Sequence, residues 1–254
     1  MSATVDGPIG LFDSGVGGLT VARALADRLP GERLLYFGDT AHLPYGDKSP
    51  EAIRGYSLAI AQHLVDLGAK AIVVACNSAS SVAYEALVAA MSVPVFNVID
   101  PVVAEVARLG VDRVGIWGTK ATIKSGVFPA KLKASAPGAT VRAWATPLLV
   151  PVIEENILQG PILDAVIDGY ARPTEAEDVD ALVLACTHYP IVAAQIGQRL
   201  GQIGGVKRNL AQQLPATGRT VQQADRVISE VEGESWFHVT GLAQEEGLRE
   251  HSPE

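Results

Sequence analysis

The stretches VVACNSAS (residues 73–80) and VLACTHYP (residues 183–190) contain the only two cysteines of this 254-residue chain, Cys76 and Cys186. Each cysteine follows an aliphatic run that ends in alanine, and each precedes a short polar turn. An apolar run of this length, bounded by polar residues, is typical of a strand buried inside a parallel sheet. The two thiols are therefore predicted to follow two equivalent strands.

Short apolar runs alternate with segments of helical periodicity along most of the chain. In residues 50–67, Ile53, Ile60 and Leu64 recur on one helix face, and Ser49 before Pro50 is a suitable N-cap. Strands are predicted at residues 9–12, 34–37, 71–75, 93–98, 114–117, 140–143 and 181–185. Helices are predicted at residues 19–29, 50–67, 80–90, 102–109, 122–134, 150–158, 162–170 and 191–200. This alternation predicts an α/β fold whose parallel sheets carry helices on both faces.

The cysteine motifs belong to a weak internal repeat. IGLFDSG (9–15) resembles VGIWGTK (114–120), LLYFGDTAHLPY (34–45) has an echo in RAWATPLLVPVI (142–153), and AIVVACNSAS (71–80) resembles ALVLACTHYP (181–190). The order is the same in both halves, which predicts two pseudo-symmetric, doubly wound parallel-sheet domains. The first is expected at residues 1–97, with 208–254 returning to it, and the second at 98–207. Because ligands bind beyond the carboxyl ends of parallel strands, the site is predicted in the cleft between the domains.

Composition and charge exclude several classes of function. The net charge of −8 provides no electrostatic footprint for nucleic acid or an anionic membrane. No apolar run approaches the roughly 20 residues of a membrane helix, and the first residues, MSATVDGPIG, lack the features of a signal peptide. We therefore expect a cytoplasmic protein with a small-molecule substrate and neither membrane nor nucleic-acid partners.

The sequence indicates neither a metal site nor a cofactor. Four zinc ligands at recognisable spacing are missing, and Cys-Thr-His is not a usual ligand pattern. The turn DSGVGG (13–18) is neither a dinucleotide fingerprint nor a Walker A motif. We interpret it as a strand-to-helix turn whose backbone N–H groups can hold a carboxylate. A disulfide between the two cysteines is the structural alternative to two free thiols.

Two thiols on opposite walls of a cleft suit proton transfer at a carbon centre. A racemase removes a proton from one face of a carbon and returns one to the other, so that each group acts as base for one enantiomer and as acid for the other. A thiol can serve in both directions because its unperturbed pKa of about 8.5 lies close to working pH. The sequence therefore predicts a cofactor-independent racemase.

Five motifs in the same order resemble the glutamate racemases of the aspartate/glutamate racemase superfamily: IGLFDSGVGGLTV, YFGDTAHLPYGDKS, VVACNSAS, GTKATIKSG and LVLACTHYP. The resemblance runs from about residue 9 to residue 191. It implies two α/β domains with the active site between them, interconversion of L- and D-glutamate without cofactor or metal, and a homodimer. In bacteria, the D-glutamate of this family is used for peptidoglycan synthesis.

The resemblance also implies roles for individual residues. Cys76 and Cys186 match the two catalytic thiols, His188 matches a helper of Cys186, and Asp13 matches a carboxylate that takes part in catalysis. Ser78 stands where the family more often has threonine, and it keeps the hydroxyl group. The matched substrate contacts are Asp13 and Ser14 near the first thiol, Pro44, Tyr45 and Gly46 in a loop over the substrate carboxylates, Asn77 and Ser78 after Cys76, Thr119 and Thr122 in the second half, Thr187 after Cys186, and Glu154 near His188.

Each of these residues also has a structural interpretation. A buried cysteine is most often a small hydrophobic residue, and Asp13 could simply cap the helix that follows it. His188 could be a satisfied structural histidine, Tyr45 could pack in its loop, and Glu154 could lie on a solvated helix face.

Two other functions remain open from the sequence. One is a related enzyme of the superfamily that acts on aspartate or another dicarboxylate. The other is a non-catalytic member that binds a ligand or a partner. The C-terminal segment 204–254 departs from the family pattern, because it is polar and only SWFHVTG (235–241) is predicted as a short strand.

Overall fold

The fold alternates strands and helices as the sequence predicts. The computed structural model describes residues 7–203, 208–211 and 236–239. The strands are β1 (Ile9–Asp13), β2 (Leu34–Gly38), β3 (Ala71–Val74), β4 (Val95–Asn97), β5 (Arg113–Gly118), β6 (Thr140–Ala145), β7 (Ala181–Ala185), β8 (Arg208–Ala211) and β9 (Trp236–Val239). The α-helices are α1 (Leu19–Arg28), α2 (Pro50–Asp66), α3 (Asn77–Val82), α4 (Tyr84–Ala90), α5 (Ile99–Leu109), α6 (Lys120–Ser125), α7 (Val127–Ser135), α8 (Leu149–Glu154), α9 (Pro161–Ala176) and α10 (Ala193–Ile203).

The described strands form two parallel sheets of the same topology. The first sheet has the order β4-β3-β1-β2-β9, and the second has the order β6-β5-β7-β8. Read in reverse, the second order is β8-β7-β5-β6, so each strand occupies the position of the strand four places earlier in the chain. All the strand pairs are parallel. The repeat inferred from the sequence is thus a repeat of topology, and the predicted α/β fold with two parallel sheets is confirmed.

The two C-terminal strands belong to different sheets, whereas the sequence assigns the whole C-terminal segment to the first domain. The sequence places residues 208–254 with the first domain, but β8 pairs with β7 in the second sheet, where it is the counterpart of β4. The predicted terminal strand is present as β9, which pairs with β2 at the edge of the first sheet. The domain boundary predicted between residues 207 and 208 therefore separates β8 from the second sheet, to which it belongs. The remaining residues of the predicted return, 212–235 and 240–254, lie outside the described residues.

Helices cover both faces of each sheet because successive strand residues point to opposite sides. In the first sheet, Leu11 and Val73 pack with α1, whereas Phe12 and Val74 pack with α2. The second sheet repeats this arrangement, with α5 and α7 on one face and α8, α9 and α10 on the other. Both sheets are therefore buried between helices, and their packing holds the residues at the ends of their strands in position.

Two predicted helices are each divided into shorter ones. The predicted helix 80–90 starts earlier, directly after Cys76, and is divided into α3 and α4 at Ala83. The predicted helix 122–134 is divided into α6 and α7 at Gly126, whose φ of 68° is left-handed and ends a helix. Within the described part of the chain, no helix is long and apolar enough to cross a membrane.

Candidate active site

Four strand ends contribute the residues of one cavity between the two sheets. Ser14 follows β1, Cys76 follows β3, Thr119 follows β5 and Cys186 follows β7. The cavity encloses about 390 Å³ of empty space, including its opening to solvent. Its walls consist of Ser14, Gly15, Leu43, Pro44, Tyr45, Gly46, Cys76, Asn77, Ser78, Thr119, Val150, Glu154, Cys186, Thr187 and His188. Twelve of the fourteen residues predicted from the sequence line this cavity; Asp13 and Thr122 lie behind its wall.

The first thiol is buried at the start of a helix. Cys76 directly precedes α3, and its thiol donates to the Oγ atom of Ser14 at 3.7 Å. Burial raises the pKa of the Cys76 thiol to about 12, and the negative charge of Asp13 acts in the same direction. Cys76 is therefore a neutral thiol near neutral pH.

The second thiol has a different partner. Cys186 is a buried free thiol whose Sγ lies 3.8 Å from the Nδ1 atom of His188. The Nε2 atom of His188 is hydrogen-bonded to the carboxylate of Glu154. Since a carboxylate accepts, Nε2 carries the proton, and in the neutral ring Nδ1 faces Cys186 with a lone pair. Burial again raises the pKa of the Cys186 thiol, and the negative charge of Asp13 acts in the same direction, as would a thiolate at Cys76.

These pKa values differ from the sequence expectation of thiols that ionise near working pH. The difference arises because burial disfavours the charged form, which composition and spacing do not reveal. A base in this site thus has to be generated from a neutral thiol. For Cys186 the neighbouring ring of His188 can accept the proton, whereas Cys76 contacts the hydroxyl group of Ser14.

Because their pKa values are raised, we expect the two thiols to be alkylated slowly in the protein without substrate. Only the thiolate reacts, so iodoacetamide should modify Cys76 more than about 100-fold more slowly than a free thiol at about pH 7.5. The rate should then rise with pH, by up to about tenfold per unit, without levelling off near pH 8.5. Peptide mass spectrometry would measure each cysteine separately, with protein unfolded in urea as the control. A plateau near pH 8.5 in the folded protein would contradict the neutral, buried thiol.

Asp13 connects the first strand end to the second domain. Its carboxylate is fully buried and accepts the backbone N–H groups of Gly18 at 2.9 Å and Gly15 at 3.3 Å. The hydroxyl group of Thr187 donates to its other oxygen at 3.5 Å. Two N–H groups of the glycine-rich turn, which the sequence predicts as a carboxylate site, therefore hold the carboxylate of Asp13 itself. Asp13 is not the cap of α1, whose N-cap is Gly18; its carboxylate stabilises the turn before the helix and lies beside the cavity.

The two domains meet at small side chains across the cavity. The hydroxyl groups of Ser78 and Thr119 are 2.8 Å apart, and Thr119 also donates to Thr122 at 3.1 Å. A Cβ atom on Gly46 would lie 2.7 Å from the Cβ atom of Thr119, so only glycine fits there without displacement. At the rim, Lys120 and Asp47 form an exposed ion pair at 3.1 Å. The cavity is thus closed by contacts that span both halves.

Sequence reasoning missed four residues at or behind the cavity wall. Gly15, Leu43 and Val150 line it, and Asp39 holds the hydroxyl group of Tyr45 from behind the wall. Gly15, Leu43 and Asp39 all lie inside two of the motifs that carry the family resemblance. Their position inside these motifs was the signal in the sequence that could have identified them. In the described part of the chain, no three His, Cys, Asp or Glu side chains are grouped as metal ligands would be.

Comparison with known proteins identifies the family. The sequence model of the Asp/Glu/hydantoin racemase family matches residues 19–207. The chain belongs to this racemase family. Among its relatives, the glutamate racemase of Corynebacterium diphtheriae is 42% identical over 224 residues, which cover 88% of this chain and 84% of the relative.

Solved structures of the racemase family agree with the observed topology. The crystal structure of glutamate racemase from Francisella tularensis in complex with D-glutamate has a TM-score of 0.84 and 33% identity, and the match covers 95% of this chain and 90% of that chain. The aspartate racemase of Picrophilus torridus has a TM-score of 0.60 at 18% identity, covering 81% and 89% of the two chains. At that identity the likeness shows the fold alone.

Proposed function

We propose that this member of the racemase family interconverts L- and D-glutamate by proton transfer between two thiols. The observation that carries the proposal is the position of Cys76 and Cys186, buried after equivalent strands of the two repeated sheets and facing one cavity. The relative from Corynebacterium diphtheriae and the structure from Francisella tularensis, both named as glutamate racemases, support glutamate as the substrate.

The proposed reaction moves one proton off the substrate and another onto it. The thiolate of one cysteine takes the α-proton and becomes a thiol, which leaves an electron pair on the α-carbon. The thiol on the opposite face gives its proton to that carbon and becomes a thiolate. The configuration is inverted, and the two cysteines have exchanged protonation states. Each cysteine is therefore the base for one enantiomer and the acid for the other.

His188 is proposed to generate the thiolate on the second face. Its Nδ1 atom lies 3.8 Å from the sulfur of Cys186 and can accept the thiol proton. Glu154 binds the opposite ring nitrogen, which fixes the orientation of the ring and stabilises the imidazolium that forms. Glu154 thus acts as a positioning residue, and His188 as an acid–base group. On the first face, Ser14 and Asp13 are the groups proposed to assist Cys76.

Proton NMR of the purified protein with glutamate in deuterium oxide would test this function. We expect loss of the α-proton signal from both L- and D-glutamate without added cofactor, since each turnover exchanges the α-proton with a thiol that equilibrates with solvent. L- and D-aspartate serve as parallel substrates. Exchange of aspartate in preference to glutamate would instead support the related enzyme, and no exchange of either would support a non-catalytic, ligand-binding member.

Glutamate is also expected to slow amide hydrogen exchange in both halves together. The substrate has to enter between thiols on opposite walls, so the domains should close on it. Exchange measured by mass spectrometry should slow in residues 13–18, 44–46 and 186–188, whereas D-alanine, which lacks the side-chain carboxylate, should have a weaker effect. Protection limited to one domain would argue against a site between the domains.

Several expectations from the family resemblance accompany this proposal. We propose that the D-glutamate serves peptidoglycan synthesis, that the protein is a cytoplasmic homodimer, and that it works without a cofactor. The division into domains at residues 97 and 98 is supported by α5, which starts at Ile99 and packs on the second sheet. Sedimentation analysis would test the dimer, and activity after treatment with chelators and carbonyl reagents would test the absence of a cofactor.

A further inference from the structure

Asp39 forms a buried bridge behind one wall of the cavity. It directly follows β2, is only 3% exposed, and its backbone N–H donates to the carbonyl group of Asp13 at 3.0 Å. One carboxylate oxygen accepts the hydroxyl group of Tyr45 at 2.6 Å, and the other is paired with the Nδ1 atom of His42 at 2.8 Å. Both oxygens therefore bind side chains of the loop that follows, and the backbone of Asp39 is attached to the end of the sheet.

The bond from Tyr45 determines where its hydroxyl proton points. Tyr45 is only 1% exposed and lines the cavity. Burial and the hydrogen bond to Asp39 raise the pKa of Tyr45 well above its ordinary value, so the phenol keeps its proton. Since the carboxylate can only accept, this proton lies towards Asp39 and not towards the cavity. The hydroxyl group of Tyr45 thus anchors the loop and has no proton to donate to a substrate.

Aromatic contacts support the same loop from its outer side. The ring of His42 stacks on Tyr56 of α2 with ring centres 4.2 Å apart, and Tyr45 lies next to the same ring at 5.7 Å. The loop is therefore held between the sheet end, through Asp39, and helix α2, through Tyr56.

The residues immediately after Tyr45 form contacts with the second domain. Gly46 lies against Thr119, and Asp47 pairs with Lys120. A displacement of Tyr45 would move Gly46 and Asp47 with it, because they follow in one tight turn over residues Tyr45–Asp47. The position of the loop against the second domain thus depends on where the hydroxyl group of Tyr45 is held.

We propose that Asp39 is a positioning residue that fixes the loop 43–46 in the closed cavity by holding the hydroxyl group of Tyr45. The kinetic consequence rests on the proposed racemase function, whereas the effect on the loop does not. A substitution at Asp39 should therefore loosen the loop in the protein without substrate, and should reduce turnover only through Tyr45.

The first test compares hydrogen exchange in the ligand-free protein. In Asp39→Asn, the amide keeps the shape of the side chain but loses the charge that strengthens the bond, since charge-assisted hydrogen bonds are roughly twice as strong as neutral ones. Exchange in residues 43–48 should become about tenfold faster, while α2 is unchanged. The matched control is Asp66→Asn at the exposed end of α2, which removes a carboxylate bonded to Gln62 and should leave the loop unaffected. Equal exchange of the loop in wild type and Asp39→Asn would overturn the proposal.

The second test is a double-mutant cycle with Tyr45→Phe. We expect Asp39→Asn to lower kcat/KM for glutamate by about 10-fold to 100-fold, the loss typical of a weakened hydrogen bond to a charged group. The reduction should be equal for L- and D-glutamate, because the equilibrium constant between enantiomers is unity. In the Tyr45→Phe background, Asp39→Asn should cause almost no further loss.

The outcomes of the two tests can be separated. Additive losses in the double variant would overturn the proposal, because a purely structural role of Asp39 would not require Tyr45. If Asp39→Asn does not fold, the loop exchange of Tyr45→Phe decides the question, since it removes the same bond. If the wild-type protein does not racemise glutamate, the proposed function fails, and the exchange comparison still decides whether Asp39 positions the loop.

Discussion

Replacing Cys76 by serine is expected to lower racemisation of glutamate by about 10³-fold or more, since acid–base catalysis by one positioned side chain contributes about 10²-fold to 10⁴-fold. Near neutral pH, a serine hydroxyl group is too weak an acid to donate this proton and too weak a base to accept it. Cys186→Ser should have the same effect. The two losses should not add in the double variant, because inversion requires both groups and the first substitution already interrupts the cycle.

The single variants should differ in the exchange that they retain. One remaining thiol can still remove the α-proton from its own face and return a deuteron there, without inversion. Each variant is therefore expected to exchange the α-proton of one enantiomer only, and the two variants should prefer opposite enantiomers. The family resemblance implies that Cys76 acts on D-glutamate and Cys186 on L-glutamate. Proton NMR in deuterium oxide measures both the exchange and the inversion.

The different partners of the two thiols add a control to this experiment. His188 lies beside the second thiol, whereas the first thiol contacts Ser14, so His188→Asn should impair exchange of the enantiomer that Cys186 serves more than exchange of the other. Near-wild-type racemisation in either cysteine variant, when folded and free of contaminating racemase, would exclude the two-thiol mechanism.

Gly17→Ala is expected to reduce kcat/KM by about 100-fold, the loss that a displacement of about 1 Å can cause in a catalytic group. A Cβ atom on Gly17 would lie 2.7 Å from the hydroxyl oxygen of Thr187 and 2.8 Å from ring atoms of His188. His188 is buried between Cys186 and Glu154, so the ring can yield only by losing one of these contacts or by moving the domains apart. Steady-state kinetics in both directions would measure the loss.

Gly55→Ala is the matched control for this substitution. Gly55 lies in the middle of α2 and is exposed, and a Cβ atom added to it would meet no other atom within 4 Å. Alanine there should leave racemisation unchanged and raise the free energy of unfolding by up to about 1 kcal/mol, because glycine is the poorer helix former. Wild-type kinetics in Gly17→Ala would show that the second thiol tolerates a displaced or tilted histidine.

Much of the framework could be read from the sequence because it depends on local patterns. Buried parallel strands appear as continuous aliphatic runs, and all seven strands predicted between residues 9 and 185 are present. The two cysteines could be placed near each other because residues that follow equivalent strands of repeated sheets face the same cleft. The strand β8 could not be predicted, since RNLA (208–211) is short and polar and its pairing is provided by the buried strand β7.

The chemistry of the individual groups was decided by tertiary structure. The identity and order of Cys76, Cys186 and His188 were legible in the sequence, but the raised pKa values of the thiols result from burial by residues distant in the chain. The N–H groups of the DSGVGG turn were expected to be free for a ligand, yet Asp13 occupies two of them. Asp39 lay inside a recognised motif without an assigned role, because its bonds to His42 and Tyr45 depend on an irregular loop. Periodicity reports which face of an element is buried, whereas protonation and hydrogen bonding depend on distances that exist only once the chain is folded.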